Sequence, residues 1–404
     1  MPTVVLVGTL DTKGKEYDFL RDRVREHGVD VILVDCGIMG EPLTTPDITR
    51  KEVAAAAGVD VHALAAAGDR GAAVEAMAKG AAAIATRLHA EGRLDGILGL
   101  GGSGNSALVT LAMRALPVGV PKLMVSTVAS GDTRPYVGAV DIAMMYSVVD
   151  IAGVNRISAQ IMTNAAGMIA GAVKSATPDL GADRPLIGAT MFGVTTACVT
   201  TARERLEELG YEVLVFHATG TGGQSMEALA KAGFLAGVLD ATTTELADEL
   251  VGGVLSAGPD RLEAAAAFGL PQVVSLGALD MVNFGPRESV PEKFAGRNLY
   301  VHNPTITLMR TTPDECRELG RQIGRKLSAA TGPTVLYVPL RGVSAIAVAG
   351  QVFHDAEADA ALLEGLHETL AVNVEVHELD TDINDPAFAL VMANRLHKLI
   401  QEHA

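Results

Sequence analysis

Residues 4–37 read VVLVGTLDTKGKEYDFLRDRVREHGVDVILVDCG, and residues 186–219 read LIGATMFGVTTACVTTARERLEELGYEVLVFHAT. Each is a short apolar run, a polar loop, an amphipathic stretch ending at Gly28 or Gly210, and a second apolar run. The echo continues downstream. DGILGLGGSGNSALVTL (95–111) parallels AGVLDATTTELADEL (236–250), and VPKLMVST (120–127) parallels LPQVVSLG (270–277). Three matched strand–loop–helix units in the same order predict an α/β fold: two similar doubly wound, mainly parallel Rossmann-like domains related by internal duplication. Ligands of such sheets sit beyond the carboxyl ends of the strands, so a ligand cleft between the two domains is expected.

Length agrees with this division, since 404 residues exceed what one core usually supports. SATPDLGADRP (175–185) reads as the linker, which gives a nucleotide-binding domain over 1–178 and a second domain, carrying an acceptor site, over 185–404. Hydrophobic residues make up 49% of the chain, with 43 Gly and no Trp, a composition suited to strands buried on both faces. A formal charge of −16 without any basic cluster argues against a nucleic-acid partner. The scattered cysteines Cys36, Cys198 and Cys316 read as free thiols of a reducing compartment, with Cys36 placed to line a pocket. The chain enters a strand at Val4 with no signal-like segment before it, so a cytoplasmic location is expected. The most apolar stretch, Ile151 to Val173, carries Asn155, Arg156, Gln160 and Asn164 and reads as a buried or interface helix rather than a membrane span. Its Ala, Gly and Met surface suits a homodimer contact.

Three strand-end loops of the first domain carry the binding signals. Gly99-Leu100-Gly101-Gly102-Ser103-Gly104-Asn105 follows a strand and opens a helix, where glycines admit a phosphate or carboxylate to the helix N-terminus. It contains G-x-G-x-x-G, but the next strand ends in Ser126-Thr127, without the acid that holds a dinucleotide ribose; NAD(P) and a purely structural turn stay as alternatives. Gly8-Thr9-Leu10-Asp11-Thr12-Lys13-Gly14 reads as an anion or Mg²⁺–phosphate loop, or else as an N-capped helix start with Lys13 in solvent. It is not a Walker A sequence. Thr127 to Thr133, including Ser130, is similarly small and hydroxyl-rich, and the three loops together favour a nucleotide or sugar-phosphate pocket.

The second domain places different chemistry at the corresponding positions. His217, Asp240, Glu245, Asp280, His302 and Arg310 can supply acids, bases and a carboxylate clamp; helix capping and loop hydrogen bonding are the structural alternatives. A metal held by Asp240, Asp280 and His302 or His217 is a further reading, without a spacing motif to fix it.

GTLDTKG, GLGGSGNS, LDATTTELADELVGGVLSAGPDRL, SLGALDMVNFGP and HNPTITLMRTT together resemble an uncharacterised microbial and plant family that includes the ATP-binding N-terminal region of the tomato protein conferring resistance to tomato mosaic virus. The resemblance spans essentially the whole chain and implies an oligomeric ATP-binding protein. It implies ATP on Gly8, Thr9, Asp11, Thr12 and Lys13, on Gly101, Gly102, Ser103, Gly104 and Asn105, and on Thr127 and Ser130. The leading expectation is an ATP-dependent enzyme that phosphorylates or activates a small carboxylate metabolite, with Mg²⁺ held partly by Asp11. A two-lobed nucleotide or ligand sensor without turnover is the first alternative, and an ATP-independent, metal-dependent hydrolase or lyase the second.

Overall fold

The computed structural model describes residues 1–175 and 184–403. The chain forms two compact units, Met1–Asp179 and Leu180–Ala404. The expected linker, apart from Ser175, Arg184 and Pro185, lies outside the described residues.

The first unit contains β1 (Thr3–Gly8), β2 (Asp30–Asp35), β3 (Gly96–Gly101), β4 (Lys122–Ser126) and β5 (Ile142–Tyr146), in the order β2-β1-β3-β4-β5, with every pairing parallel. Side chains alternate across a strand, so β1 feeds two cores. Val4 and Leu6 pack with Tyr17, Leu20, Met162 and Ile169 of helices Leu10–Glu26 and Arg156–Lys174. Val5 and Val7 pack with Met77, Ile84, Leu108 and Met113 of helices Arg70–Ala90 and Ser103–Arg114.

The second unit has β6 (Leu186–Met191), β7 (Glu212–His217), β8 (Leu235–Thr242), β9 (Gln272–Gly277), β10 (Met281–Phe284), β11 (Leu299–Asn303), β12 (Ile306–Arg310), β13 (Thr334–Pro339) and β14 (Glu375–Leu379). Read from β7, its main sheet runs β7-β6-β8-β9-β13-β14, again wholly parallel. This is the order of the first sheet with one strand added, as the repeated sequence pattern requires. The stretch 281–304, which reads as irregular in sequence, instead supplies β10 and β11 of a three-stranded antiparallel sheet ordered β10-β12-β11. Its alternation is hard to see because β10 is buried on both faces while β11 is largely exposed.

The apolar spacing of Tyr17, Leu20 and Val24 predicts a helix from near Lys15, after a loop over Gly8–Gly14; the helix starts earlier, at Leu10. The buried Asp35 carboxylate, 25 positions away, accepts the Leu10 amide at 3.1 Å and so caps the helix from outside its own sequence. Lys13 then kinks the helix with non-helical backbone angles.

Candidate functional site

The strand order places a topological switch point between β1 and β3, whose following helices pack on opposite faces of the sheet. Strands splay where their connections diverge, and this is where open α/β sheets hold ligands. Tyr17 braces the gap from below. Its hydroxyl donates to the Val7 carbonyl and accepts the Leu100 amide at 3.0 Å and Asn105 Nδ2 at 3.2 Å. Burial pushes the phenol pKa far up, so the hydroxyl stays protonated. Gly8 exists for this brace, since a Cβ there would lie 2.1 Å from the Tyr17 oxygen.

Above Tyr17 opens a cavity of about 530 Å³ lined only by residues of the first unit. Of the residues singled out in the sequence, Thr9, Asp11, Thr12, Lys13, Gly102, Ser103, Gly104 and Asn105 line it. Two helix N-termini therefore meet there, from opposite faces of the sheet. Thr9 and Gly102 are their N-caps; neither caps its helix with its own side chain, and where Asp35 takes the Leu10 amide of the first helix, the second has no side-chain cap. The first-turn amides of Ser103, Gly104 and Asn105 have no intrahelical acceptor and no cap of their own, which is the arrangement that attracts an anion.

Gly8, Gly101, Thr127 and Ser130 do not line this cavity. Gly101 gives way to the Asn105 side chain, which would sit 2.6 Å from a Cβ placed there. Thr127 stands behind Gly102, with Oγ1 3.6 Å from where its Cβ would be, and Ser130 is exposed.

Asp11 Oδ2 accepts the Met39 and Gly40 amides at 2.8 and 3.3 Å, while the buried Oδ1 has no hydrogen-bond partner. Lys13 is not in open solvent: its ammonium donates to the Ile151 carbonyl. Asp35, at the end of β2, faces inward to the Leu10 and Gly37 amides, with Arg50 Nε 3.4 Å away. Burial raises its pKa against these opposing interactions.

Apart from Cys36, which the sequence reading placed at a pocket, the remaining walls come from residues it did not mark. Ile38, Met39, Leu64, Val74, Met77 and Leu108 make an apolar side, and Cys36 joins them with its thiol pKa pushed up by burial. Asp69, Arg70 and Asp150 stand among the polar groups. Nothing in the local pattern around Arg70 marks it, because its meeting with Gly104 spans 34 positions and depends on how two helices pack.

In the second unit the six candidate residues fall into separate environments. Asp240 and Glu245 are buried around Arg261, which grips Asp240 with two nitrogens at 2.5 and 2.7 Å and Glu245 with Nε at 2.6 Å. Glu227 lies 3.3 Å from the same guanidinium. Glu245 also accepts the Gly220 and Gly223 amides at 2.7 and 3.0 Å, filling a helix N-terminus with the chain's own anion. Desolvation raises its pKa despite Arg261. Asp280 is buried against Ser344, 2.9 Å away, and desolvation raises its pKa to about 6 while Arg310 opposes the shift. Arg310 itself donates to the Phe353 carbonyl, Thr311 and Asp359. His217 and His302 are exposed at the ends of β7 and β11. Among the described residues, no cluster of three or more His, Cys, Asp or Glu side chains is placed to hold a metal ion, and no helix is long and apolar enough to cross a membrane.

Two domain families match the chain: the N-terminal domain of an uncharacterised protein family (UPF0261) over residues 2–178, and the C-terminal domain of the same family over residues 184–400. A UPF0261 protein of Clostridium tetani is 54% identical over 400 residues, covering 99% of each chain. The tomato (Solanum lycopersicum) ToMV resistance protein Tm-1(GCR237) is 39% identical over 410 residues, covering 96% of this chain and 54% of that protein. Among solved structures, a UDP-N-acetylglucosamine 2-epimerase from Rickettsia bellii aligns over 68% of this chain and 78% of its own, at 13% identity and a TM-score of 0.23, too low to carry an argument.

Proposed function

The chain belongs to the UPF0261 family, and we propose that it binds ATP in the cavity of its first unit and uses it to phosphorylate or activate a small carboxylate metabolite. The observation that carries the nucleotide reading is that the uncapped helix N-terminus at Gly102 and the Asp35-capped one at Thr9 converge on one cavity at the switch point. Phosphates would lie on the Gly102–Asn105 turn, and the base against Met39, Leu64, Val74 and Met77. A volume near 530 Å³ falls in the usual range for small-molecule sites.

The donor set fits Mg²⁺. Asp11 has one carboxylate oxygen buried without a partner, and Mg²⁺ commonly takes one or two carboxylates and completes its shell with phosphate and water. Bound there, the ion would supply charge neutralisation at the phosphates. Lys13 would add a second positive charge on the same helix. The chain's own contribution is then to seat the phosphates on fixed amides and to shield them behind the apolar wall.

One observation favours a second reading, a nucleotide-responsive binding protein without turnover. Asp240, Glu245 and Arg310, three of the six second-domain candidates, are all engaged in internal pairs. Calorimetric titration with ATP, with and without Mg²⁺, tests the shared premise. Binding that tightens with Mg²⁺ in the native protein but not in Asp11→Asn supports it; absence of ATP binding in both refutes it. Release of ADP on addition of carboxylate metabolites then separates enzyme from sensor.

A further inference from the structure

We propose that Arg70 is the phosphate-reading residue of this cavity, retained for the ligand and not for the fold; the inference rests on the nucleotide reading above. Two cationic side chains line the cavity, Lys13 and Arg70. Lys13 is held by the Ile151 carbonyl. Arg70 makes no ion pair or side-chain hydrogen bond among the described residues, and its residue is exposed. Its Nη2 lies 3.8 Å from where a Cβ on Gly104 would be, which sets the guanidinium directly over the first turn of helix Ser103–Arg114.

The position of Arg70 makes little sense as a stabilising choice. It is the first residue of helix Arg70–Ala90. The N-terminal end of a helix carries partial positive charge, so a cation there is unfavourable where an acid would be favourable. The neighbouring acid does not compensate by pairing: Asp69 is the N-cap and accepts the Ala72 amide at 3.0 Å. Arg70 therefore adds a third positive element to a place that already holds the Gly102–Asn105 amides and a second helix N-terminus at Thr9. Among the described residues the Ser103–Asn105 amides and the Arg70 guanidinium lack a partner, whereas Asp35 already takes the Leu10 amide at the other helix end; one bound phosphate group satisfies the two free elements together. A guanidinium above a turn of amides matches the tetrahedral face of a phosphate, with paired N–H groups on one side and backbone donors on the other.

The test compares native protein with Arg70→Ala and Arg70→Lys, titrated with ATP, inorganic tripolyphosphate and adenosine, alongside thermal unfolding without ligand. Loss of one charge-assisted contact predicts that Arg70→Ala weakens ATP and tripolyphosphate by about 10- to 100-fold. Adenosine affinity stays unchanged, Arg70→Lys falls between, and the ligand-free unfolding midpoint stays level or rises. Equal losses for adenosine and ATP, or no loss for ATP, overturn the assignment of Arg70 while leaving the ATP site standing. Native protein that binds none of the three overturns the nucleotide reading and this inference with it. A fall of several degrees in the ligand-free midpoint of Arg70→Ala would show a structural role instead.

Discussion

Filling the proposed phosphate seat from the protein side should separate binding from stability, and Gly104 is the place to do it. Gly104 is the second residue of helix Ser103–Arg114, and it is not among the residues with positive φ. A methyl group there would meet only the Arg70 guanidinium, at 3.8 Å, and would otherwise project into the cavity. The backbone thus has no need of glycine, and Gly→Ala at a compatible position stabilises by about 0.4–1 kcal/mol through the unfolded chain. For a unit of this size that is a rise of about 1–4 °C in unfolding midpoint. The ligand has the opposite response. Side-chain bulk over the turn blocks approach to the Gly104 and Asn105 amides; losing two hydrogen bonds to a charged group costs roughly 3–6 kcal/mol, or about 10²- to 10⁴-fold in affinity. Gly104→Ala should show part of this loss and Gly104→Leu all of it. Calorimetry reads the affinity, and circular dichroism reads the midpoint, since the chain has no Trp for fluorescence. Native ATP affinity in Gly104→Leu would refute the placement of the phosphates. A fall in midpoint for Gly104→Ala would show that this glycine serves the fold.

The second unit offers two tests of the buried charges. Glu245→Ala strips Arg261 of one of its carboxylates and leaves the Gly220 and Gly223 amides without an acceptor, so chemical denaturation should report a loss of about 3–5 kcal/mol; a change below 1 kcal/mol would mean that water replaces the carboxylate freely. Asp248 is buried, and desolvation raises its pKa to about 7 against the hydrogen bonds from Asn283 and Leu255. A carboxyl whose folded pKa lies above its unfolded value near 3.8 contributes stability that is fully present below that value and is lost as pH rises toward 7. Asp248→Asn should flatten the decline in stability between about pH 4 and 7, because a flip of Asn283, whose Oδ1 has no partner, can accept the new amide. An unchanged pH profile in Asp248→Asn would assign the decline elsewhere.

Much of the architecture was written locally. Alternating and continuous apolar runs, helix stops at Gly28 and Gly210, and the capping box at Thr312 and Glu315 are all short-range signals, and the structure contains the corresponding elements. The doubled pattern carried further, because the same order of strands and helices in each half leads to the same sheet order in each unit. Gly102 to Asn105 was legible for a similar reason: glycines between a strand and a helix leave amides open whatever surrounds them.

Tertiary structure decided which of the charged and glycine residues are free. Asp240, Glu245 and Arg310 look in sequence like catalytic groups at strand ends, yet Arg261 and Asp359, distant along the chain, neutralise them in the folded state. Gly8 looks like a phosphate-loop glycine and serves instead to admit the Tyr17 ring. Arg70 and the apolar wall of Val74 and Met77 carry no motif at all; they reach the cavity because the helix that Arg70 opens packs beside the helix that Gly102 opens. Local composition sets where strands and helices begin and end, because backbone preference and capping act over a few residues. The pairing of charges and the lining of a cavity depend on chain segments that only the order of strands in a sheet brings within hydrogen-bond distance, and no window of sequence contains both partners.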